Sequence, residues 1–301
     1  MYKRQLLELD KKYISPSYTR DYPFFMDHGE GAYVWDVDGN AFLDFTAGIG
    51  VSATGYCHPR VTSAIEKQVR KFLHMSGSDF YYEPEILLAQ KLSLITPGDS
   101  DKRVFFCNSG AEAVEAALKL SRYHTRRQYF IAFLGCFHGR TMGALALTSS
   151  KAVQRARFGP LMPGVIHVPY GDCAHCAYGL EYGRCGIECV AHIEKVIFQR
   201  YVKPEEVAAI VVEPILGEGG YIVPPPEFHQ ELRRIASENE ILLVVDEVQS
   251  GMGRTGKMFA IEHWDVVPDI ITIAKGIACL LYTSDAADEG LGVDLGGRRI
   301  I

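Results

Sequence analysis

The chain has no apolar run of membrane-spanning length: VAAIVVEPI and ILLVVDEV are short and carry acids, so a bilayer helix is not expected. It has no surplus of positive charge either. Against 31 lysines and arginines stand 37 aspartates and glutamates, for a net charge of −6 and a pI near 5.9. Broad attraction to nucleic acid or to an anionic membrane is therefore not expected. There is no internal repeat and no low-complexity linker, which excludes a repeat array. The opening MYKRQLLELDKKYISP is charged throughout and lacks the unbroken apolar core of a secretory signal, so the cytoplasm is the expected compartment. What is present suits a folded enzyme-sized protein. Hydrophobic residues make up 48% and charged residues 23% of 301, enough for a sizeable core in one large domain or two ordinary ones. Cysteine is plentiful, and four of the eight lie close together. In a reducing compartment such a cluster points to metal or redox chemistry before structural disulfides.

From residue 103 onward, short apolar runs alternate with amphipathic stretches. Strands are expected at 103–107, 129–134, 207–215, 241–248 and 269–274, and helices at 111–127 and 226–239. Ahead of them, YVWDVDGNAFLDFTAG reads as a hairpin turning at Asp38, Gly39 and Asn40. RVTSAIEKQVRKFL and EPEILLAQKLSLIT carry helical spacing. Apolar strands alternating with helices predict an α/β fold with a mostly parallel sheet covered on both faces. In such sheets ligands bind at the carboxyl ends of the strands. Ser109, His138, Glu213, Asp246 and Lys275 all fall at or just past such ends.

Each of these ends carries a motif with both a chemical and a plain reading. NSGAEA (Asn108 to Ala113) opens a helix, where free N–H groups and a glycine suit a phosphate; a simple helix cap would use the same residues. In GCFHGRT, Phe137 could stack on a flat ring and Arg140 could hold a carboxylate, or the segment could be a loop with a buried aromatic and a surface arginine. EPILGEGG sets Glu213 and Glu218 on a glycine-rich loop, as site acids or as surface charges. In DEVQSGMGRTG, Asp246 ends an apolar strand, where burial demands a cationic or hydrogen-bonding partner, and Gln249 follows within a turn. One strand later comes Lys275 of DIITIAKGIA. An amine and an acid on successive strand ends suit pyridoxal phosphate (PLP), the lysine for a Schiff base and the carboxylate for the ring nitrogen. A structural ion pair is the plain alternative.

In order and spacing, from about residue 33 to residue 278, these strings resemble the class III aminotransferases, a subgroup of the fold-type I PLP enzymes. The resemblance implies that Lys275 is the Schiff-base lysine and Asp246 the pyridinium partner. It implies that Ser109, Gly110 and Ala111 hold the phosphate, that Phe137 stacks on the ring beside His138, and that Gln249 approaches the ring hydroxyl. Glu213 matches a family acid near the cofactor. Arg140 would clamp a substrate carboxylate, Glu218 would pair with a second arginine, and Ile49 of FTAGIGV would line the substrate pocket. Residues 1–60 would contribute to a small domain and 61–278 would form the PLP-binding large domain, with a cysteine-rich insert at 171–190. The implied activity is ping-pong transfer of an amino group from a donor such as 4-aminobutyrate or N-acetylornithine to 2-oxoglutarate, in a homodimer with a shared site. A racemase or aminomutase on the same scaffold would share the lysine, the aspartate and the phosphate cradle. Arg140 with Glu218 favours transfer, because together they suit alternating substrates with different carboxylate positions.

Cys173, Cys176, Cys185 and Cys189 follow a C-x2-C-x8-C-x3-C spacing, compatible with thiolate coordination of zinc or an iron–sulfur cluster. His175 or His192 could replace one thiolate. Unliganded surface thiols or a disulfide pair are the plain readings. A nucleic-acid-binding zinc ribbon is disfavoured by the acidic charge and by the lack of a basic stripe around the cysteines. Cys57, Cys107, Cys136 and Cys279 read as core or loop thiols. Residues 279–301 fit neither period and read as non-native read-through. The chain is thus expected to be a fragment, inactive or poorly folded by itself, of an active dimeric enzyme.

Overall fold

The computed structural model describes residues 2–17, 20, 22–74, 76–99 and 101–277; the stretch 279–301 lies outside them. The chain divides into two compact units, one reaching to Leu88 and the other spanning Ala89–Ile277. The first unit holds an antiparallel sheet of β1 (Met26–Glu30), β2 (Tyr33–Asp36) and β3 (Ala41–Leu43). The β2–β3 hairpin turns where expected, because the Asp36 carboxylate accepts the backbone N–H groups of Asp38 at 3.0 Å and Asn40 at 2.9 Å. The helix Pro59–Val69 starts on a proline in its first turn, and the helix Glu83–Ile95 straddles the division between the units.

The second unit is built on five parallel strands: β4 (Tyr129–Phe133), β5 (Val165–Val168), β6 (Val207–Val212), β7 (Leu242–Asp246) and β8 (Ile270–Thr272). Their order is β5-β4-β6-β7-β8. Alternate residues feed two cores. Phe130, Ala132, Ala209, Val211 and Val244 pack with Val114 and Leu118 of the helix Gly110–Thr125. Ile131, Phe133, Ile210, Val212, Leu243 and Val245 pack with Phe228, Leu232 and Ile235 of the helix Phe228–Glu238. Burial on both faces is why these strands read as continuous apolar runs.

Two expectations need correction. The run at 103–107 forms no ladder with any described strand, and Phe105 is 75% exposed. Apolar composition permits a strand, but only a neighbouring strand satisfies its N–H and C=O groups. Conversely, β5 went unnoticed because VIHV is four residues long and interrupted by His167.

Candidate active site

The strand ends of the second unit converge. β7 ends on Asp246, which pairs in register with Thr272 at the end of β8. Asp246 is only 3% exposed, so protein donors must replace water around its carboxylate. Oδ1 accepts from Thr272 Oγ1 at 3.0 Å and from the Val248 backbone N–H at 3.1 Å, while Oδ2 lies 2.7 Å from His138 Nδ1. The loop after β4 carries His138, and its backbone N–H is anchored on Thr148 Oγ1 at 2.9 Å. Burial opposes charge on this imidazole, but the Asp246 bond and the charges of Asp246 and Glu213 outweigh it, so His138 holds its proton above the usual histidine range. The bond fixes the imidazole and the Asp246 carboxylate against each other. His138 Nε2 is buried with no hydrogen-bond partner among the described residues.

Glu213 follows β6 and is 4% exposed. Its two oxygens accept the backbone N–H groups of Phe137 at 2.7 Å and Gly217 at 3.0 Å. Burial pushes its carboxyl up to about 7; the Asp246 charge adds to the rise, while His138 and the two N–H donors hold it back. Cys136, His138 and Glu213 bring ligand atoms within 4.8 Å of one another. The two N–H donors tie Glu213 to the loop after β4 and to its own glycine-rich loop.

Lys275 opens a short 3-10 turn, Lys275–Ile277, after β8. Its φ of 37° is left-handed, a conformation that residues with side chains rarely adopt and that is found where structure holds a functional group in place. Its amine donates to the side-chain oxygen of Gln249. Beside it lies the start of the helix Gly110–Thr125. Ser109 caps that helix, Oγ accepting from the Glu112 N–H at 3.1 Å, and Glu112 Oε2 accepts from the Asn108 N–H at 2.5 Å. The capped helix and the phosphate cradle are compatible, since first-turn N–H groups remain without helical partners. Gly110 is needed for close approach: a Cβ there would lie 2.9 and 3.0 Å from the Val248 methyls and 3.4 Å from Ala274 Cβ. Likewise a Cβ on Gly139 would lie 2.7 Å from Ala111 Cβ. The helix start, the His138 loop and the ends of β7 and β8 are thus pressed together around one place. A buried anion, a primary amine and an anion-binding helix start in one cluster fit the ring nitrogen, aldehyde and phosphate of PLP.

The expected substrate residues are less uniformly placed. The Arg140 guanidinium lies 6.0 Å from the Phe137 ring centroid, half-buried beside the site. Glu218 pairs with Lys151 at 2.6 Å and takes a weaker contact from Gln154 at 3.4 Å. Lys151 reaches it because the short helix that follows, Ala152–Arg155, runs alongside the glycine-rich loop. Ile49 belongs to the first unit, where it is exposed at φ 60°. Two contributors were not anticipated. Thr272 was readable as the single hydroxyl in an apolar run, but its role depends on strand register. Glu115, on the outer turns of the capped helix, accepts Thr141 Oγ1 at 2.7 Å and the N–H groups of Gly143 at 2.8 Å and Ala144 at 3.1 Å, fixing the exit of the His138 loop.

The chain belongs to the class-III aminotransferases: the family pattern "Aminotransferase class-III" matches residues 14–286. It is 47% identical over 270 residues to the acetylornithine aminotransferase of Methanopyrus kandleri, covering 90% of this chain and 62% of that protein. It is 39% identical over 280 residues to the alanine/serine racemase of Pyrococcus horikoshii, covering 91% and 59%. Among solved structures, the taurine:2-oxoglutarate aminotransferase from Bifidobacterium kashiwanohense, in complex with PLP and glutamate, matches with a TM-score of 0.83 and 32% identity over 92% of this chain and 62% of that one. The fold is that of the fold-type I PLP-dependent transferases. The chain spans about three fifths of the length of the curated relatives it matches.

Proposed function

We propose that the protein transfers the amino group of an ω-amino compound, such as N-acetylornithine or 4-aminobutyrate, to 2-oxoglutarate with PLP as cofactor, working as a cytoplasmic homodimer. The observation that carries this reading is the placement of Lys275 and of the His138-locked Asp246 on adjacent strand ends beside the Ser109-capped helix start. When bound, the cofactor supplies an electron sink for the carbon that bears the amino group. Asp246 would face the ring nitrogen and favour its protonated form, and Thr272, Val248 and His138 hold the Asp246 carboxylate in place through hydrogen bonds. Ser109, Gly110 and Ala111 would hold the phosphate, Phe137 would stack on the ring and Gln249 would approach the ring hydroxyl. Lys275 moves the substrate proton, its amine positioned by Gln249 and by its own constrained backbone. Arg140 binds a carboxylate, and Glu218 with Lys151 forms an adjustable charge at the pocket edge. The homodimer rests on the family resemblance. No described helix is long and apolar enough to cross a membrane.

Racemisation is the second reading, favoured by the 39% identity to the alanine/serine racemase. The same lysine and aspartate serve both reactions, so assay must divide them. Borohydride reduction followed by peptide mapping is expected to place the cofactor on Lys275. Donor turnover should require an added oxo-acid. An unlabelled Lys275 would remove the cofactor assignment, and loss of chirality without an oxo-acid would replace transfer by racemisation.

A further inference from the structure

Away from the strand ends, the segment that follows β5 folds into a loop whose inner wall carries four cysteines. Cys173, Cys176, Cys185 and Cys189 line one cavity of about 20 Å³ together with Tyr178 and Tyr182. That is room for a single water-sized or ion-sized guest. All four therefore share one enclosed space, although they come from two stretches of the insert. All four are free thiols. The cavity wall includes Asp172 and Glu188 but no lysine, arginine or histidine, so no protein cation faces the sulfurs. His175 is instead exposed and bonded to Asp172, and the His192 ring lies against Tyr178 at 5.7 Å. The Tyr178 hydroxyl is buried with no hydrogen-bond partner among the described residues, on the cavity that Cys176 and Cys189 also line. A phenolic O–H in that position is a ready donor to a thiolate and a poor match for a thiol.

The ring is open. No three of these sulfurs lie within 4.8 Å of one another, whereas metal–sulfur bonds of ~2.3 Å in a tetrahedron set sulfurs ~3.8 Å apart. The loop between the two cysteine pairs can close that gap. Gly179 and Gly183 take left-handed φ values of 65° and 88°, with nothing within 4 Å of where a Cβ would sit. The flanks, in contrast, are fixed. Tyr170 donates to the carbonyl oxygens of Glu213 and Pro214 at 3.1 and 3.0 Å, and Val190, one residue past Cys189, is buried in the core.

We propose that Cys173, Cys176, Cys185 and Cys189 bind one zinc ion as four thiolates, tying the 171–190 insert to its fixed flanks. Each thiol gives its proton to solvent as its metal–sulfur bond forms, and no electron is transferred. Zinc fits because it accepts four sulfurs in a closed tetrahedron without redox change, and a closed set leaves no position for substrate, so the role is structural.

The test uses the intact protein purified without added metal. About one zinc per chain is expected, released together with a fall in Tm when a mercurial caps the thiols. Cobalt substitution should give thiolate-to-metal charge-transfer bands and the intense visible bands of tetrahedral cobalt. The double variant C185S/C189S should lose zinc by about tenfold or more, while C57S, in the other unit, keeps it. If the double variant does not fold, the cobalt spectrum of the unaltered protein decides. Absence of both zinc and the cobalt spectrum overturns the proposal, as does finding disulfides among the four cysteines, or iron and sulfide in place of zinc.

Discussion

The substitution Gly110→Ala adds one methyl group to the second unit, and its effect can be worked from the contacts around it. The new Cβ would lie 2.9 and 3.0 Å from the two Val248 methyls and 3.4 Å from Ala274 Cβ. Ordinary contacts between such atoms begin near ~3.5 Å, so either the helix start or the turn after β7 must give way by roughly half an ångström. Gly110 does not need a left-handed backbone, so the cost is steric alone. Overpacking of this kind costs about 1–3 kcal/mol. Because the displaced atoms are the helix N–H groups assigned to the phosphate and the turn bonded to Asp246, the loss should appear in cofactor binding as well as in folding. At ~1.4 kcal/mol per factor of ten, the PLP Kd should rise roughly 5- to 150-fold. Apo-protein is titrated with PLP by absorbance, and Tm is recorded without the cofactor. A Kd within about twofold of the parent's would show that the helix start does not hold the phosphate, whatever happens to Tm.

Thr272→Val keeps the shape of the strand end but removes a donor to the buried Asp246 carboxylate; a loss of about 1.5–3 kcal/mol in unfolding free energy is expected, and an unchanged denaturation midpoint would remove Thr272 from the site. Glu213 holds its proton up to about 7 against an ordinary 4.5, so the native state binds more protons than the unfolded chain between those values. Its contribution to stability is therefore full below pH ~4.5 and shrinks as the pH rises to ~7; Glu213→Gln should flatten Tm against pH across that window, and an unaltered slope would speak against the assignment. The Lys151–Glu218 pair is partly exposed on both sides, so Lys151→Ala should change stability by less than ~1 kcal/mol. The same variant should shift KM for the oxo-acid more than kcat; equal KM values would detach Glu218 from substrate binding.

The parts legible in the sequence were those written in local pattern. Strands β4, β6, β7 and β8 lie inside the apolar runs read from periodicity, and the capped helix begins one residue before its expected start. Asp246 and Lys275 stood out because a charge at the end of an apolar strand needs a reason. What local pattern does not encode is who sits beside whom. The run at 103–107 has strand composition without a strand partner, and VIHV has a partner but is too short to show a period. Glu218 illustrates the same limit at the site: its acid was visible, but its Lys151 partner lies 67 residues earlier and is joined to it only by the fold. The cysteine spacing likewise located a cluster, while the cavity, the absence of a cationic wall residue and the lone Tyr178 hydroxyl required coordinates.

Asp246 shows why the sheet and the site are one construction. A carboxylate deprived of water carries a penalty of several kcal/mol, which only well-placed donors offset. Its three donors come from three places: its own turn through Val248, the next strand through Thr272, and the loop after β4, two strands away in the sheet, through His138. A slip of β8 by a single residue would send the Thr272 hydroxyl to the opposite face and leave Oδ1 short of a partner. The parallel register is therefore selected both by the apolar cores above and below and by the charge at its end. Any sequence that lost this register would leave the buried carboxylate of Asp246 short of the donors that stand in for water, and the site would lose its fixed acid.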